Sequence, residues 1–198
     1  LDDKYIFYSK LDKFHRPRRI YRHKLGTSIK DDELIFEEKS EAFTVSISLS
    51  SDEKYFFILT SDHNTSEQYY FEVNEKNPKP KLIKKRKKGI IYFINSWGGY
   101  FYNHTNENAE DFKIDRCKDL LNQNWETYIS AKDEVLIGGL VFLNDWVIRS
   151  ENSNALSKLF VKNKNTNKEE ELIFSNEKVI VPSVSLIQKD KKTDLVHL

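Results

Sequence analysis

Thr44-Val45-Ser46-Ile47-Ser48-Leu49, then Ser50-Ser51-Asp52-Glu53-Lys54, then Tyr55-Phe56-Phe57-Ile58-Leu59-Thr60 is the stretch that decides the fold. Val45, Ile47 and Leu49 alternate with Thr44, Ser46 and Ser48, the period of two expected of a strand that buries one face. The five residues that follow carry short polar side chains able to bond to nearby backbone, which makes them a hairpin connection. Tyr55 opens a second apolar run. Residues 68–73 and 81–85 supply two more, so residues 43–86 read as one four-stranded antiparallel unit.

Working outward, the unit repeats. Its last strand recurs as Leu34-Ile35-Phe36-Glu37, Lys81-Leu82-Ile83-Lys84, Glu126-Thr127-Tyr128-Ile129 and Glu171-Leu172-Ile173-Phe174. The anchors Ile35, Ile83, Tyr128 and Ile173 are 48, 45 and 45 residues apart. The strand two places earlier gives a second set, Phe7, Phe57, Phe101 and Val147, separated by 50, 44 and 46. A third unit places strands at 90–95, 100–104, 111–117 and 125–129, with Gly98-Gly99 as its first turn, where positive φ costs glycine nothing. A fourth places them at 136–143, 146–150, 156–162 and 170–174, with Asn144-Asp145 as the tight turn.

Self-similarity at this period is the signature of β-propeller blades, each a four-stranded sheet. The expected fold is all-β, an incomplete β-propeller: a partial blade at 1–38 that lacks its first strand, full blades at about 43–86, 90–130 and 135–175, and the start of another at 179–198. An unrelated β-sandwich or meander is the competing reading. Three full blades and two fragments do not close a ring of four to eight. The expectation is therefore a piece of a larger ring, whose open blade faces and strand edges favour self-association.

Composition narrows the function classes. Lys and Arg number 32 against 31 Asp and Glu, a net charge of +1, so overall charge points to neither a nucleic-acid nor a membrane partner. No apolar run approaches the roughly 18 residues of a membrane span, and no secretory signal opens the sequence. The single Cys117 excludes an internal disulfide and favours a reducing, cytoplasmic compartment. Methionine is absent even from position 1, which implies an alternative start codon, processing, or a position inside a longer polypeptide.

Specific residues carry a family resemblance. Arg16-Pro17, then Ile20-Tyr21-Arg22-His23-Lys24-Leu25-Gly26-Thr27, then Asp32-Glu33-Leu34-Ile35-Phe36-Glu37-Glu38-Lys39 resemble the oligopeptidase B (protease II) group of the prolyl oligopeptidase family. Val45-Ser46-Ile47-Ser48 and Ser50-Ser51-Asp52-Glu53-Lys54-Tyr55 continue it. Gly99-Tyr100-Phe101-Tyr102, Asp111-Phe112-Lys113-Ile114 and Leu143-Asn144-Asp145-Trp146-Val147-Ile148 extend it more loosely. The resemblance implies a serine peptidase that cleaves short peptides after Lys or Arg. It also implies that a seven-bladed propeller caps an α/β-hydrolase domain carrying the Ser, Asp and His. The family's catalytic residues would lie beyond residue 198, so none is carried over to a position here.

The residues themselves agree with an expectation of no catalytic, cofactor or metal site. No Gly-x-Ser-x-Gly nucleophile elbow occurs, and neither Gly98-Gly99 nor Gly138-Gly139 has a serine in the required place. His15, His23, His63, His104 and His197 have no metal-ligand spacing, and His23 reads as a packing or hydrogen-bonding residue. Lys84-Lys85-Arg86-Lys87-Lys88 could meet phosphates but reads as a solvated outer strand and connection. Asp31-Asp32-Glu33 and Glu169-Glu170-Glu171 read as exposed charge guarding strand edges, without calcium-loop spacing. Asn64-Thr65-Ser66 and Asn103-His104-Thr105 are sequons relevant only to a secreted chain. Tyr69-Tyr70-Phe71, Trp125 and Trp146 read as blade packing, and residues 115–123 as a short helical turn with Leu120-Leu121 facing the core.

Two functional expectations follow. One is the gating propeller of an oligopeptidase, partnered by a catalytic domain or a complementary propeller fragment. The other is a truncated peptidase relic or stand-alone binding module.

Overall fold

The structure is a computed structural model that describes residues 4–173 and, as backbone only, the strand residues 185–186 and 196–197. It is all-β: the described residues contain no α-helix, only a 3-10 turn at Ile29–Asp31. The first sheet has three strands in the order β1 (Tyr5–Leu11), β2 (Pro17–Lys24), β3 (Glu33–Glu37). The second has four, β4 (Thr44–Leu49), β5 (Tyr55–Ser61), β6 (Ser66–Glu72) and β7 (Lys81–Lys84). The third comprises β8 (Tyr92–Trp97), β9 (Tyr100–Thr105), β10 (Lys113–Cys117) and β11 (Glu126–Ile129). The fourth comprises β12 (Leu136–Phe142), β13 (Trp146–Ser153), β14 (Leu156–Asn163) and β15 (Glu169–Glu171). In each, sequence neighbours are sheet neighbours, the meander of a propeller blade. A short antiparallel pair, β16 (Ser185–Leu186) with β17 (Val196–His197), follows. Most of the blade start expected at 179–198, and Phe174, lie outside the described residues.

The chain forms two compact units, residues 1–103 with 117–124, and residues 104–116 with 125–198. In the first, β4 pairs with β5 without a slip, Thr44 opposite Ser61 through Leu49 opposite Phe56. That register puts Val45 into a core with Ile20, Ile58 and Phe71, onto which Phe7, Ile35, Phe36, Ile47, Phe56 and Tyr69 pack. Ring centroids of Phe7 and Phe56 lie 4.6 Å apart, as do those of Phe36 and Tyr69. Such tilted pairs add about 0.5–1.5 kcal/mol each to the area they bury. The aromatic runs thus pack the first sheet against the second. In the second unit the fourth sheet has its own core of Leu143, Ile148 and Leu159, with Val141, Val161 and Leu172 against it.

The turns follow from local chemistry. Ser50 Oγ accepts from the N–H groups of Lys54 and Tyr55, at 3.1 and 3.0 Å. Gly98 and Gly99 both have positive φ, +60° and +81°, as a two-residue hairpin loop matched to strand twist requires. Leu143 N donates to Trp146 O at 2.9 Å across Asn144-Asp145.

Three expectations change. The third sheet's first strand is Tyr92–Trp97 rather than 90–95, because Gly89 (φ +81°) and the Ile90 N–H bond to Lys87 O keep the chain in a turn. In 115–123 a single helical turn forms, closed by Gln123 N donating to Asp119 O at 3.0 Å and capped by Asp119 Oδ1 taking the Leu121 N–H at 2.8 Å. Of its two leucines only Leu120 is buried, and Leu121 is 81% exposed. The last strand of the fourth sheet is Glu169–Glu171 rather than 170–174; Leu172, just past it, packs on the core, and Ile173 is 83% exposed.

Candidate functional site

The polar side chains buried in the first unit converge on the seams between sheets. Arg86 is the largest case. Its Nη2 donates to Glu38 Oε2 at 2.8 Å and lies 3.4 Å from Glu67 Oε1, while its backbone N–H donates to Glu67 Oε2 at 2.8 Å. Its guanidinium sits 4.1 Å over the Phe43 ring. Glu38 also accepts from Ser40 N, and its carbonyl accepts from Arg18. Tyr69 donates to Glu67 Oε1 at 2.7 Å, and burial, reinforced by that bond, pushes its pKa up. Arg86 therefore does not belong to a solvated run, as its lysine neighbours suggest. The stub after β7 is tied to the stub after β3.

A second seam joins the β4–β5 turn to β8. Asp52 Oδ2 accepts from Ser96 Oγ at 2.9 Å and Oδ1 from Ser50 Oγ at 2.8 Å; Asp52 N donates to Ser96 O at 3.2 Å. Asn95 and Ser51 complete it with Ser51 N to Asn95 Oδ1 at 2.9 Å and Asn95 Nδ2 to Ser51 Oγ at 2.8 Å. Gln68 continues the seam by mimicking a strand: its side-chain oxygen accepts from Ile94 N at 2.6 Å and its amide donates to Ile94 O at 3.3 Å. Ser66 exchanges bonds with the Tyr92 backbone, and the Tyr92 hydroxyl donates to Lys84 O. The side chains of Asp52, Ser96, Gln68 and Ser66 in this seam all have partners, whereas Arg86 Nη1 in the first seam is buried without one.

Within the acidic run beginning at Asp31, Asp32 turns inward while Asp31 and Glu33 stay exposed. Asp32, with its side chain 4% exposed, accepts from Tyr8 Oη and from His23 Nδ1, each at 2.6 Å. A carboxylate only accepts, so Nδ1 carries the proton. The Tyr8 hydroxyl, then the His23 contact, hold the Asp32 carboxyl below its usual range against the opposing effect of burial. Glu33 takes two bonds from Arg22, whose Nη1 donates to Lys76 O. His23 is thus the hydrogen-bonding histidine expected, and Asp32 is structural, whereas Asp31 and Glu33 are exposed as expected.

In the second unit Arg149 is buried between two carboxylates. It donates to Glu151 Oε1 from Nε at 2.9 Å and to Glu169 from Nη1 and Nη2 at 2.6 and 3.1 Å. Lys132 closes the far side of Glu151 at 2.7 and 2.8 Å. Glu169 is therefore an ion-pair partner, while Glu171 pairs with Lys158 nearer the surface. His104 Nε2 lies 2.7 Å from Ile137 O, so it donates, and its ring stacks on Phe112 at 4.7 Å. Burial pushes its pKa down, with the Ile137 carbonyl opposing.

Chemically, these arrangements clamp rather than react. Asp32–His23 has the form of an orienting carboxylate and a base, but a nucleophile would need to sit at hydrogen-bond distance from the imidazole to be activated. Cys117 is the reverse of an activated thiol: burial pushes its pKa up to about 11, with the Asp119 backbone contact opposing. Among the described residues no group of three or more His, Cys, Asp or Glu is arranged to hold a metal ion. No helix among them is long and apolar enough to cross a membrane. Sequence reasoning passed over Glu38, Glu67, Gln68 and Arg149. The available signal was a charged or amide residue inside an otherwise apolar strand or stub.

Comparison with known proteins agrees with this architecture. All of residues 1–198 match the family described as prolyl oligopeptidase, N-terminal beta-propeller domain. Protease 2 of Moraxella lacunata is 34% identical over 147 residues, covering 68% of this chain and 21% of that protein. Dipeptidyl aminopeptidase BI of Pseudoxanthomonas mexicana is 24% identical over 147 residues, covering 73% and 20%. The chain thus spans about a fifth of the length of these relatives. Among solved structures, oligopeptidase B from Trypanosoma brucei, in a closed form with covalently bound antipain, superimposes with a TM-score of 0.88. It is 21% identical, and the match covers 98% of this chain and 29% of that one. Oligopeptidase B from Leishmania major gives a TM-score of 0.80 at 16% identity, covering 88% and 26%. These structural likenesses speak for the fold; the match over the whole chain and the identity to Protease 2 speak for descent. The chain belongs to the prolyl oligopeptidase family, as an oligopeptidase B-type portion of its N-terminal β-propeller domain.

Proposed function

We propose that this chain is part of the gate of a serine oligopeptidase that cleaves short peptides after Lys or Arg. The observation that carries the reading is the family match over residues 1–198 combined with 34% identity to a relative named Protease 2. The preference for basic residues rests on the resemblance over residues 16–60. The catalytic Ser, Asp and His would reside on a catalytic domain outside these 198 residues, or on a complementary fragment. The clamped seams support the gating role physically. A propeller excludes bulky substrates only while its blades stay together, and Arg86, Asp52 and Gln68 each tie one sheet of the first unit to the next. Alone, the chain would hydrolyse no peptide and would self-associate through open blade surfaces. The buried, unactivated Cys117 thiol fits a cytoplasmic setting.

The test is turnover of an arginyl fluorogenic peptide, and of a folded protein carrying the same cleavage sequence, by the whole polypeptide that the gene encodes. Cleavage of the peptide with sparing of the folded protein is expected. Equal cleavage of both would remove the gate, and cleavage of neither would favour a relic or binding module.

A further inference from the structure

Among the described residues three buried side-chain atoms have no hydrogen-bond partner: Thr60 Oγ1, Arg86 Nη1 and Asn103 Oδ1. The first two share a seam. Val45 stands opposite Thr60, and Thr60 opposite Glu67, so the three side chains form one row across β4, β5 and β6. Val45 shares a core with Ile20 of β2, so the row faces the first sheet. Arg86 lies over the end of that row. Its guanidinium rests on Phe43, two positions ahead of Val45, and comes within 3.4 Å of Glu67 Oε1. Glu38 meets Arg86 Nη2 from the side of the first sheet, at 2.8 Å.

The backbone brings Thr60 close to this clamp. Val73 N donates to Lys54 O and Asp62 N to Thr65 O, so alternation along the ladder makes Thr60 and Glu67 a hydrogen-bonded pair. The Cα atoms of such a pair are about 5.5 Å apart. Burial is deep as well. Thr60 is 0% exposed, and the side chains of Glu38 and Glu67 are 4% and 7% exposed. A donor buried there without an acceptor keeps its full desolvation penalty.

The charges decide what can fill the gap between them. Arg86 Nη1 only donates, so the occupant must accept. The carboxylates of Glu38 and Glu67 only accept, and they outnumber the single guanidinium, so an anion is repelled. A cation would face the guanidinium and could take nothing from Nη1. Water is neutral and small, and it both donates and accepts.

We propose that the seam between the first and second sheets holds one buried water, which accepts from Arg86 Nη1, bonds to Thr60 Oγ1 and donates to the Glu67 carboxylate. Three polar partners are the usual complement of a buried water. The water makes Thr60, which touches neither carboxylate through a hydrogen bond of its own, a member of the Arg86 clamp. This assignment is independent of the peptidase reading.

The test has two arms, both on the 198-residue chain. The first is a crystal structure at a resolution that shows ordered waters, in which a peak is expected within about 3.2 Å of both Arg86 Nη1 and Thr60 Oγ1. The second is urea unfolding of Thr60→Val, which keeps the shape of the side chain and removes its hydroxyl. With the water in place, the folding equilibrium constant falls by at least about 5-fold, and the loss shrinks when Arg86→Met is already present. A dry hydroxyl predicts the opposite sign, because the substitution then removes an unpaired polar group. The absence of a peak, or a chloride or metal ion in its place, would overturn the proposal. So would a Thr60→Val variant at least as stable as the parent, or a loss undiminished by Arg86→Met. Should the Arg86→Met chain fail to fold, the map and the sign of the Thr60→Val effect still decide.

Discussion

Arg86 and Glu38 stand 48 positions apart in the sequence and 2.8 Å apart in the fold. The guanidinium belongs to the stub after β7 and the carboxylate to the stub after β3, so one ion pair fastens the end of the first sheet to the end of the second. Removing one member leaves a buried charge without its partner, which costs more than the pair contributes. Because the Arg86 side chain keeps some contact with solvent, Arg86→Ala is expected to destabilise the chain by about 2–3 kcal/mol rather than the full range for deep burial. The double variant Arg86→Met with Glu38→Gln is expected to lose less than Arg86→Ala alone. Urea midpoints measure both, and a neutral Arg86→Ala would show the clamp to be ornamental.

The Tyr8–Asp32 contact predicts a pH dependence with a definite sign. Asp32 has a folded pKa below its unfolded value near 3.9, chiefly through the Tyr8 hydroxyl. Its contribution to stability is thus present above about pH 4 and is lost as pH falls through the lower folded value. Tyr8, pushed up to about 12 first by the bond to Asp32 and then by burial, works at the other end. Its contribution is complete below about pH 10 and is lost as pH rises through the folded value. Tyr8→Phe should therefore lower the melting temperature most near neutrality, and the gap should narrow at both extremes. A gap of constant size would mean that lost packing, not the hydrogen bond, is responsible.

Cys117 predicts a chemical silence. With its thiol buried and its pKa raised to about 11, it should react with a disulfide reagent at pH 8 at least about 100-fold more slowly than in the urea-unfolded chain. Rapid labelling of the native chain would place it at the surface.

Two adjacent glycines should behave differently. A Cβ on Gly138 would meet Ser150 Oγ at 2.0 Å and the Ser150 carbonyl at 3.0 Å, whereas one on Gly139 meets nothing within 4 Å. Both flank the register shift between Ile137 and Leu140 in β12. Gly138→Ala is expected to cost about 1–3 kcal/mol by overpacking, and Gly139→Ala to be tolerated. Thermal melts of the two variants decide it, and equal losses would point to the bulge's backbone freedom instead.

How much of this was legible in the sequence depended on range. Alternation across 44–49 and the hairpin at 98–99 are local, and strands and turns followed from them directly. The end of the fourth sheet's last strand is not legible, because Leu172 and Ile173 continue the apolar pattern past Glu171, where the strand stops. The helical turn within 115–123 is legible, since Asp119 caps it at the Leu121 N–H, but the outward facing of Leu121 is not, because one turn has no repeating period to mark its buried side. Arg86 and Asp32 were hidden for a different reason. Each sits among like charges, so the local pattern says solvent, while Glu38 and Tyr8, which hold them in place, lie 48 and 24 positions away.

The central claim is that these residues gate a peptidase whose chemistry is done elsewhere. The most direct measurement is hydrolysis of an arginyl fluorogenic peptide, by the purified chain and by the whole polypeptide its gene encodes, at equal molar concentration. The account predicts no turnover from the chain and turnover from the whole polypeptide. Turnover by the chain that survives rigorous removal of contaminating peptidase, or none from the whole polypeptide when folded, would contradict it.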